Sequence, residues 1–287
     1  MQKQRSYKDQ VFGTLYLVPT PIGNLEDMTF RSVKTLQEVD IIASEDTRNT
    51  QKLLNHFEIS VPQRSLHEHN YKERIPQLIN LLKEGKNIAQ VSDAGMPSIS
   101  DPGHELVVAC IEEEISVVAL PGPTAGLTAL IASGLVPQPN YFYGFLQRKK
   151  KNQMEELTDL AYQKATMIFY ESPYRLKATI ENMMEVFGDK RQAVICRELT
   201  KIHEEYLRGT LAELRDYLEE TAVKGECCLM VEGTSEEAPI EEELGTLLEQ
   251  VEALIASGEK PNTAIKEVAK RNGLKKQVVY NEFHGIQ

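Results

Sequence analysis

GTLYLVPTPIGN (residues 13–24) is a short apolar strand that runs straight into a loop of prolines and glycines. NIAQVSDAGMPSISDPG (87–103) and ISVVALPGPTAG (115–126) repeat that form, and VDIIASED (39–46) is a further apolar strand ending in charge. Apolar residues at helical spacing fill the intervals, so 29–36, 50–57, 74–84 and about 104–113 read as helices, the third stopped by Gly85. Strand, loop and helix in alternation predict a mainly parallel sheet. DIIA and VVAL are apolar on both faces, as strands covered by helices on each side should be.

Past PGPTAG comes a helix of small residues, and VPQPN (136–140) reads as a connection. A second α/β segment is expected beyond it, with strands near Phe142 and over 167–170, 192–196 and 227–231. The polar, acidic GTSEEAPIEEE (233–243) marks a linker, and the chain from Leu244 on is expected to be helical, with the rhythm of a small helix-turn-helix. The expected class is α/β, with domains over 1–122 and 123–236 and a linker with helical tail over 237–287.

The chain has 287 residues, 41% hydrophobic and 26% charged, which is enough to build a core without a disulfide or metal staple. No apolar run approaches the roughly 20 residues of a membrane helix. The opening MQKQRSYKDQ lacks the apolar segment of a secretory leader, so a cytoplasmic protein with no membrane partner is expected. Cys110, Cys196, Cys227 and Cys228 show no metal-ligand spacing and read as buried small hydrophobes.

A net charge of −11 argues against non-specific nucleic-acid binding over the whole surface. Two local basic stretches run against it. Arg148, Lys149, Lys150 and Lys151 follow the aromatics of YFYGF (141–145), which read as a buried strand. In the tail, Lys260, Lys266, Lys270, Arg271, Lys275 and Lys276 outnumber Glu259, Glu267 and Glu282. Both stretches are candidate contacts to an RNA backbone.

Ligands of open parallel sheets sit beyond the carboxyl ends of the strands, where the loops 19–24, 94–103 and 121–126 fall. Three such loops at equivalent ends predict a binding cleft. Neither GxxxxGK[ST] nor a GxGxxG after the first strand is present, so the ligand is expected to be held by backbone groups and shape.

LVPTPIGNLEDMTFR, ASEDTR, HEHN, VSDAGMPSISDPG, LPGPTA and YESPYR, in that order, resemble the tetrapyrrole-methylase-like (class III) S-adenosylmethionine methyltransferases. Within that family the set is similar to the bacterial branch that methylates a cytidine ribose 2′-hydroxyl in the 16S rRNA of the small ribosomal subunit. The resemblance covers about 13–233 and implies two α/β domains with the methyl donor, S-adenosylmethionine, in a cleft between them, and a homodimer. By motif it puts Pro21 in the first cofactor loop and Ala94, Gly95, Met96 and Pro97 in the second. Porphyrin enzymes carry Gly-Gly-Asp where this chain has Ala-Gly-Met. Thr124 and Ala125 match a Thr/Ala pair at the cofactor, and Glu171 and Glu198 fall where residues face it.

Methyl transfer from a sulfonium is a direct displacement, so alignment supplies much of the rate, and a base helps because a ribose hydroxyl ionises far above neutral pH. Glu171, Glu198, Lys201 and Asp46 are the candidates, Lys201 only if burial lowers its pKa. Arg48, His67 and His69 are candidate substrate contacts. An ion pair of Asp46 with Arg48 and a capped loop at HEHN are the structural alternatives, and no metal is expected. The competing functions are a tetrapyrrole methylase, for which the basic stretches have no purpose, and a non-enzymatic nucleic-acid-binding regulator, for which the three loops have none.

Overall fold

A computed structural model describes residues 1–6, 11–237 and 245–285. The first sheet is wholly parallel, in the order β3-β2-β4-β1-β5, built from β1 (Thr14–Leu17), β2 (Ile41–Ser44), β3 (Gln63–Ser65), β4 (Ile88–Val91) and β5 (Ser116–Ala119). Four helices connect these strands: α1 (Phe30–Glu38), α2 (Thr47–His56), α3 (Tyr71–Lys83) and α4 (His104–Glu112). Every residue of β2 and β4 is buried. Ile41 and Ala43 face one apolar cluster and Ile42 the other, the alternation a strand covered on both faces requires. Two of the helices start on side-chain caps. The Ser32 N–H donates to Thr29 Oγ1 (3.0 Å) and the Arg48 N–H to Asp46 Oδ1 (2.8 Å).

β3 was not anticipated. It is a three-residue edge strand of Gln, Arg and Ser, none of them buried, and so has no apolar signature.

The second sheet has the order β6-β7-β10-β8-β9, from β6 (Asn140–Phe145), β7 (Thr166–Glu171), β8 (Gln192–Arg197), β9 (Glu205–Thr210) and β10 (Cys227–Val231). Only β6 and β7 run parallel; the other three pairings are antiparallel. β9, EYLRGT, was likewise unread, because an edge strand carrying Glu, Arg and Gly has little apolar alternation. Three helices, α6 (Lys150–Asp159), α7 (Leu176–Phe187) and α8 (Leu211–Glu220), belong to this half. The small-residue helix α5 (Ala125–Ser133) packs Ala129 and Leu130 on Ile168, Val194 and Met230 of the other face.

The aromatics of β6 correct one expectation. YFYGF is a strand, but Tyr141, Phe142 and Phe145 are exposed, because β6 is an edge of its sheet. The four cysteines are free and buried.

Chain contacts separate Met1–Ser235 from Glu236–Gln287. The latter unit contains α9 (Leu247–Ala256), α10 (Pro261–Arg271) and α11 (Lys276–Phe283) around its own core of Val251, Ala264, Ile265, Val268 and Val279. Residues 238–244, which include the end of the expected linker and the start of the expected helical region, lie outside the described residues. No described helix is long and apolar enough to cross a membrane.

Candidate active site: a cleft between the two sheets

The loops that end β4 and β5 meet the second sheet across a cleft of about 390 Å³. Ala94, Gly95, Met96 and Asp101 come from the first loop and Thr124 and Ala125 from the second. Ile22 enters from the loop after β1, while Phe145, Tyr170, Leu199 and Cys228 line the opposite side. A bridge with paired hydrogen bonds, Thr20 N–H to Gly95 O (2.9 Å) and Gly95 N–H to Thr20 O (3.0 Å), locks the β1 and β4 loops together. Gly95 adopts φ +79°, a conformation open to glycine and strained for other residues. The Tyr170 hydroxyl accepts from the Gly126 N–H (3.2 Å) and so ties the α5 N-terminus to β7.

Among the described residues, six non-glycine residues have left-handed backbone. Glu58 and Glu114 lie just past the ends of α2 and α4, where a helix commonly finishes that way. The other four, Ser98, Ser100, Glu198 and Thr200, fall in two loops that line the cleft. Such residues each cost about 1–3 kcal/mol and persist where the surrounding structure holds them.

The expected site residues divide sharply. Ala94, Gly95, Met96, Thr124, Ala125 and Glu171 line the cleft. Pro97 is buried behind the loop, and Pro21 lines a smaller neighbouring cavity of about 230 Å³ with Asn49, Lys52 and Asp93; Ile22 takes the place in the cleft.

The four acid–base candidates are otherwise engaged. The buried Glu171 carboxylate accepts from the Ser172 N–H (2.8 Å) and Thr179 Oγ1 (2.7 Å), with Arg175 at 3.5 Å, and so anchors the start of α7. Asp46 caps α2 and pairs with Arg48 at 2.6 Å, which holds its carboxyl down to about 2. Glu198 accepts from the Glu226 N–H and from Lys201 Nζ, both 2.9 Å, and those bonds hold its pKa below the usual range.

Lys201 needed a lowered pKa to serve as a base. Burial pulls it down, but hydrogen bonds to Glu226 and Glu198 outweigh this and leave it above its ordinary value. Lys201 is therefore a held cation, which corrects the expectation. Its stem lies over Gly23, where a Cβ would come within 2.6 Å of Lys201 Cγ.

HEHN is a capped turn. Asn70 Oδ1 accepts from the His67 N–H (2.9 Å), and His67 Nδ1 accepts from the His69 N–H (3.2 Å). Among the described residues no three His, Cys, Asp or Glu side chains are grouped to hold a metal. Of the basic run, Lys150 pairs with Glu185 (2.7 Å) and Lys151 with Glu155 (3.9 Å); all four residues of the run are exposed. In the helical unit Lys270, Lys275 and Lys276 are exposed, and Arg271 pairs with Glu267 (2.7 Å).

The residue that sequence reasoning missed is Asp101. It lines the cleft and is half-buried, and its carboxyl is pushed up to about 6. Burial is the largest cause, followed by the negative charges of Glu45 and Asp93, with a partial offset from the Ser92 hydroxyl. Asp-Pro-Gly reads as a turn, which hid it. A usable signal was present: Asp46 and Glu198 have an arginine within two positions, and Asp101 has none.

With this geometry in place, comparison with known proteins decides the family. Residues 14–215 match the family model described as Tetrapyrrole (Corrin/Porphyrin) Methylases. The chain belongs to that family. Its fold is the expected α/β class, and cobalt precorrin-4 methyltransferase, a cobalamin biosynthetic enzyme, shares it (TM-score 0.59, 19% identity over 76% of this chain and 94% of that one). Much nearer in sequence is "Ribosomal RNA small subunit methyltransferase I" of Streptococcus pyogenes serotype M18, 56% identical over 100% of both chains. The protein of the same name from Bacillus subtilis is 50% identical over 99% of both. The chain is thus a methyltransferase of the tetrapyrrole methylase family, with full-length relatives in its ribosomal RNA branch.

Proposed function

We propose that this protein transfers the methyl group of S-adenosylmethionine to the ribose 2′-hydroxyl of a cytidine in the 16S rRNA of the small ribosomal subunit. The observation that carries the reading is the convergence of the β4 and β5 loops and Ile22 on one cleft, in a chain half identical over its full length to methyltransferases named for that RNA.

The cleft suits the donor. Its volume of about 390 Å³ is that of a small-molecule site. Ile22, Met96, Ile99, Phe145 and Leu199 offer apolar surface to a nucleoside, and Ala94 and Thr124 line the same cleft. S-adenosylmethionine supplies an activated methyl group. What remains for the chain is to align the hydroxyl oxygen with it and to exclude water.

Exposed Arg148 and Lys149 follow the exposed Phe145 at the end of β6, and cations with aromatics are the groups that take single-stranded RNA. Lys270, Lys275 and Lys276 of the helical unit, together with Arg48, His67 and His69, complete the set of RNA contacts in this reading. A ribosomal substrate places the protein in the cytoplasm. The reading includes a homodimer, for which exposed Leu127 and Ile131 of α5 offer apolar surface; sedimentation equilibrium tests it.

The test of function is methyl transfer from labelled S-adenosylmethionine to purified 30S subunits that lack the modification, with the labelled nucleotide mapped by mass. Label on a cytidine ribose is the expected result. Donor binding with no label on RNA overturns the substrate and returns a tetrapyrrole to first place.

A further inference from the structure

Four groups with acid–base chemistry were legible in the sequence, and the structure binds each of them to the protein. Glu171 is bonded by Ser172, Thr179 and Arg175, Asp46 by Arg48, and Glu198 and Lys201 by one another and by Glu226. Asp101 is the carboxylate of the cleft lining left without a salt-bridge partner among the described residues.

Its surroundings are built. Asp101 ends the loop that begins with Ala94, Gly95 and Met96, so it is carried by the segment proposed to hold the donor. Two residues later Gly103 closes on β4, where a Cβ would lie 1.7 Å from Gln90 Nε2, and α4 starts at His104. Upstream, Ser98 (φ 69°) and Ser100 (φ 61°) hold left-handed backbone. The segment is fixed at both ends.

The charged and titratable groups that act on Asp101 are Glu45 at the end of β2 and Asp93 at the end of β4, with Tyr170 of β7 on the opposite side. None is a cation. The Ser92 hydroxyl lies nearby, buried and without a hydrogen bond of good geometry.

Resting on the reaction proposed above, we propose that Asp101 is the base that takes the ribose proton during methyl transfer. The O–H bond breaks and its proton goes to an Asp101 carboxylate oxygen. The freed electron pair on oxygen forms the O–CH₃ bond as the methyl–sulfur bond breaks, its pair returning to sulfur. The products are a 2′-methyl ether, the neutral thioether S-adenosylhomocysteine and a protonated carboxyl. One negative and one positive charge disappear together, which a partly desolvated cleft favours. A carboxyl that titrates at about 6 is still mostly ionised at neutral pH, and it is a stronger base than an ordinary aspartate.

The experiment compares the full chain with Asp101→Asn and Asp101→Glu on 30S subunits lacking the modification. It measures kcat, KM for the subunit, and separate Kd values for S-adenosylmethionine and S-adenosylhomocysteine. Asp101→Asn is expected to lower kcat by about 10²–10⁴-fold, while KM and both Kd values stay within about threefold, and Asp101→Glu recovers part of the loss. Wild-type kcat/KM, measured below saturation in donor and subunit, should fall about tenfold per pH unit below about pH 6, and Asp101→Asn should lose that slope.

Near-normal kcat in Asp101→Asn with labelled cytidine in the wild type overturns this proposal and leaves the substrate standing. Weaker binding of S-adenosylmethionine alone overturns it in favour of a counter-ion to the sulfonium. If Asp101→Asn does not fold, the wild-type profile decides, and a flat one overturns the base. Wild-type protein that labels no RNA overturns both readings.

Discussion

The two sides of the cleft handle negative charge in opposite ways. On the second-sheet side, Glu171, Glu198 and Glu226 are held by Thr179 and Arg175 or by Lys201. On the first-sheet side, Glu45 and Asp101 sit near each other and near Asp93, and both have raised pKa values, burial being the largest cause. Paired carboxylates fix the position of loops and helix starts. Carboxylates crowded by their own kind store unfavourable energy that a cationic ligand or a proton relieves. One side therefore keeps the shape of the cleft and the other is poised to react.

The largest expected effect comes from undoing the paired side at its most buried point. Glu171→Ala leaves the Thr179 hydroxyl and the Ser172 N–H without their acceptor and leaves Arg175 only the Gln147 carbonyl. The loss should be about 2–4 kcal/mol in a urea titration. A loss under about 1 kcal/mol would show that this carboxylate does not anchor α7.

Next is Gly225→Ala. Gly225 has φ +90°, and a Cβ there would lie 2.4 Å from Glu198 Oε1. The strain should cost about 1–3 kcal/mol. Because it displaces the Glu198–Lys201 loop, which carries Leu199 into the cleft, donor binding measured by calorimetry should weaken as well. Unchanged affinity would separate that loop from the donor site.

How far the sequence could be read follows the same division. Four strands of the first sheet, β1, β2, β4 and β5, were legible because they are largely apolar runs, three of them entering a Pro/Gly loop and β2 a charged turn. The loops that line the cleft came with them, since they are written in glycine and proline, and the family resemblance named Ala94, Gly95, Met96, Thr124 and Ala125 within them. β3 and β9 were illegible because these two edge strands, unlike β5 and β6, carry mostly polar residues. The pairing of the acid–base candidates was hidden for a related reason. Whether a carboxylate is paired depends on partners distant in sequence, such as Lys201 with Glu226 or Glu171 with Thr179, and no local motif records them.

Stability should also respond on the crowded side, and with the opposite sign. The Asp101 carboxyl has an ordinary value of 3.8 and one of about 6 in the folded chain. Well below pH 3.8 it is protonated in both folded and unfolded states and has no effect. Between pH 4 and 6 the unfolded chain ionises first, so folding stability falls as pH rises, and above about pH 6 the penalty is complete. Asp101→Asn carries no such charge. Its melting temperature should match the wild type at pH 3 and exceed it at pH 7.5, a gain in stability alongside the loss of turnover. Equal melting temperatures at both values would show that the carboxylate is comfortable where it is, against the crowding inferred here.

The smallest expected effect is at Lys201, and it separates a held cation from a base. Nζ is shared by Glu198 and the largely exposed Glu226, each at 2.9 Å, while the aliphatic stem covers Gly23. Lys201→Met keeps a stem of similar reach and removes only the charge. Glu198 still accepts from the Glu226 N–H, so its carboxylate keeps a partner. An ion pair in contact with solvent contributes at most about 1 kcal/mol, and stability should change by no more than that. Turnover should stay within about threefold of wild type at saturating donor. A fall of a hundredfold or more, with donor affinity intact, would return Lys201 to the chemistry and move the reacting side of the cleft to the second sheet.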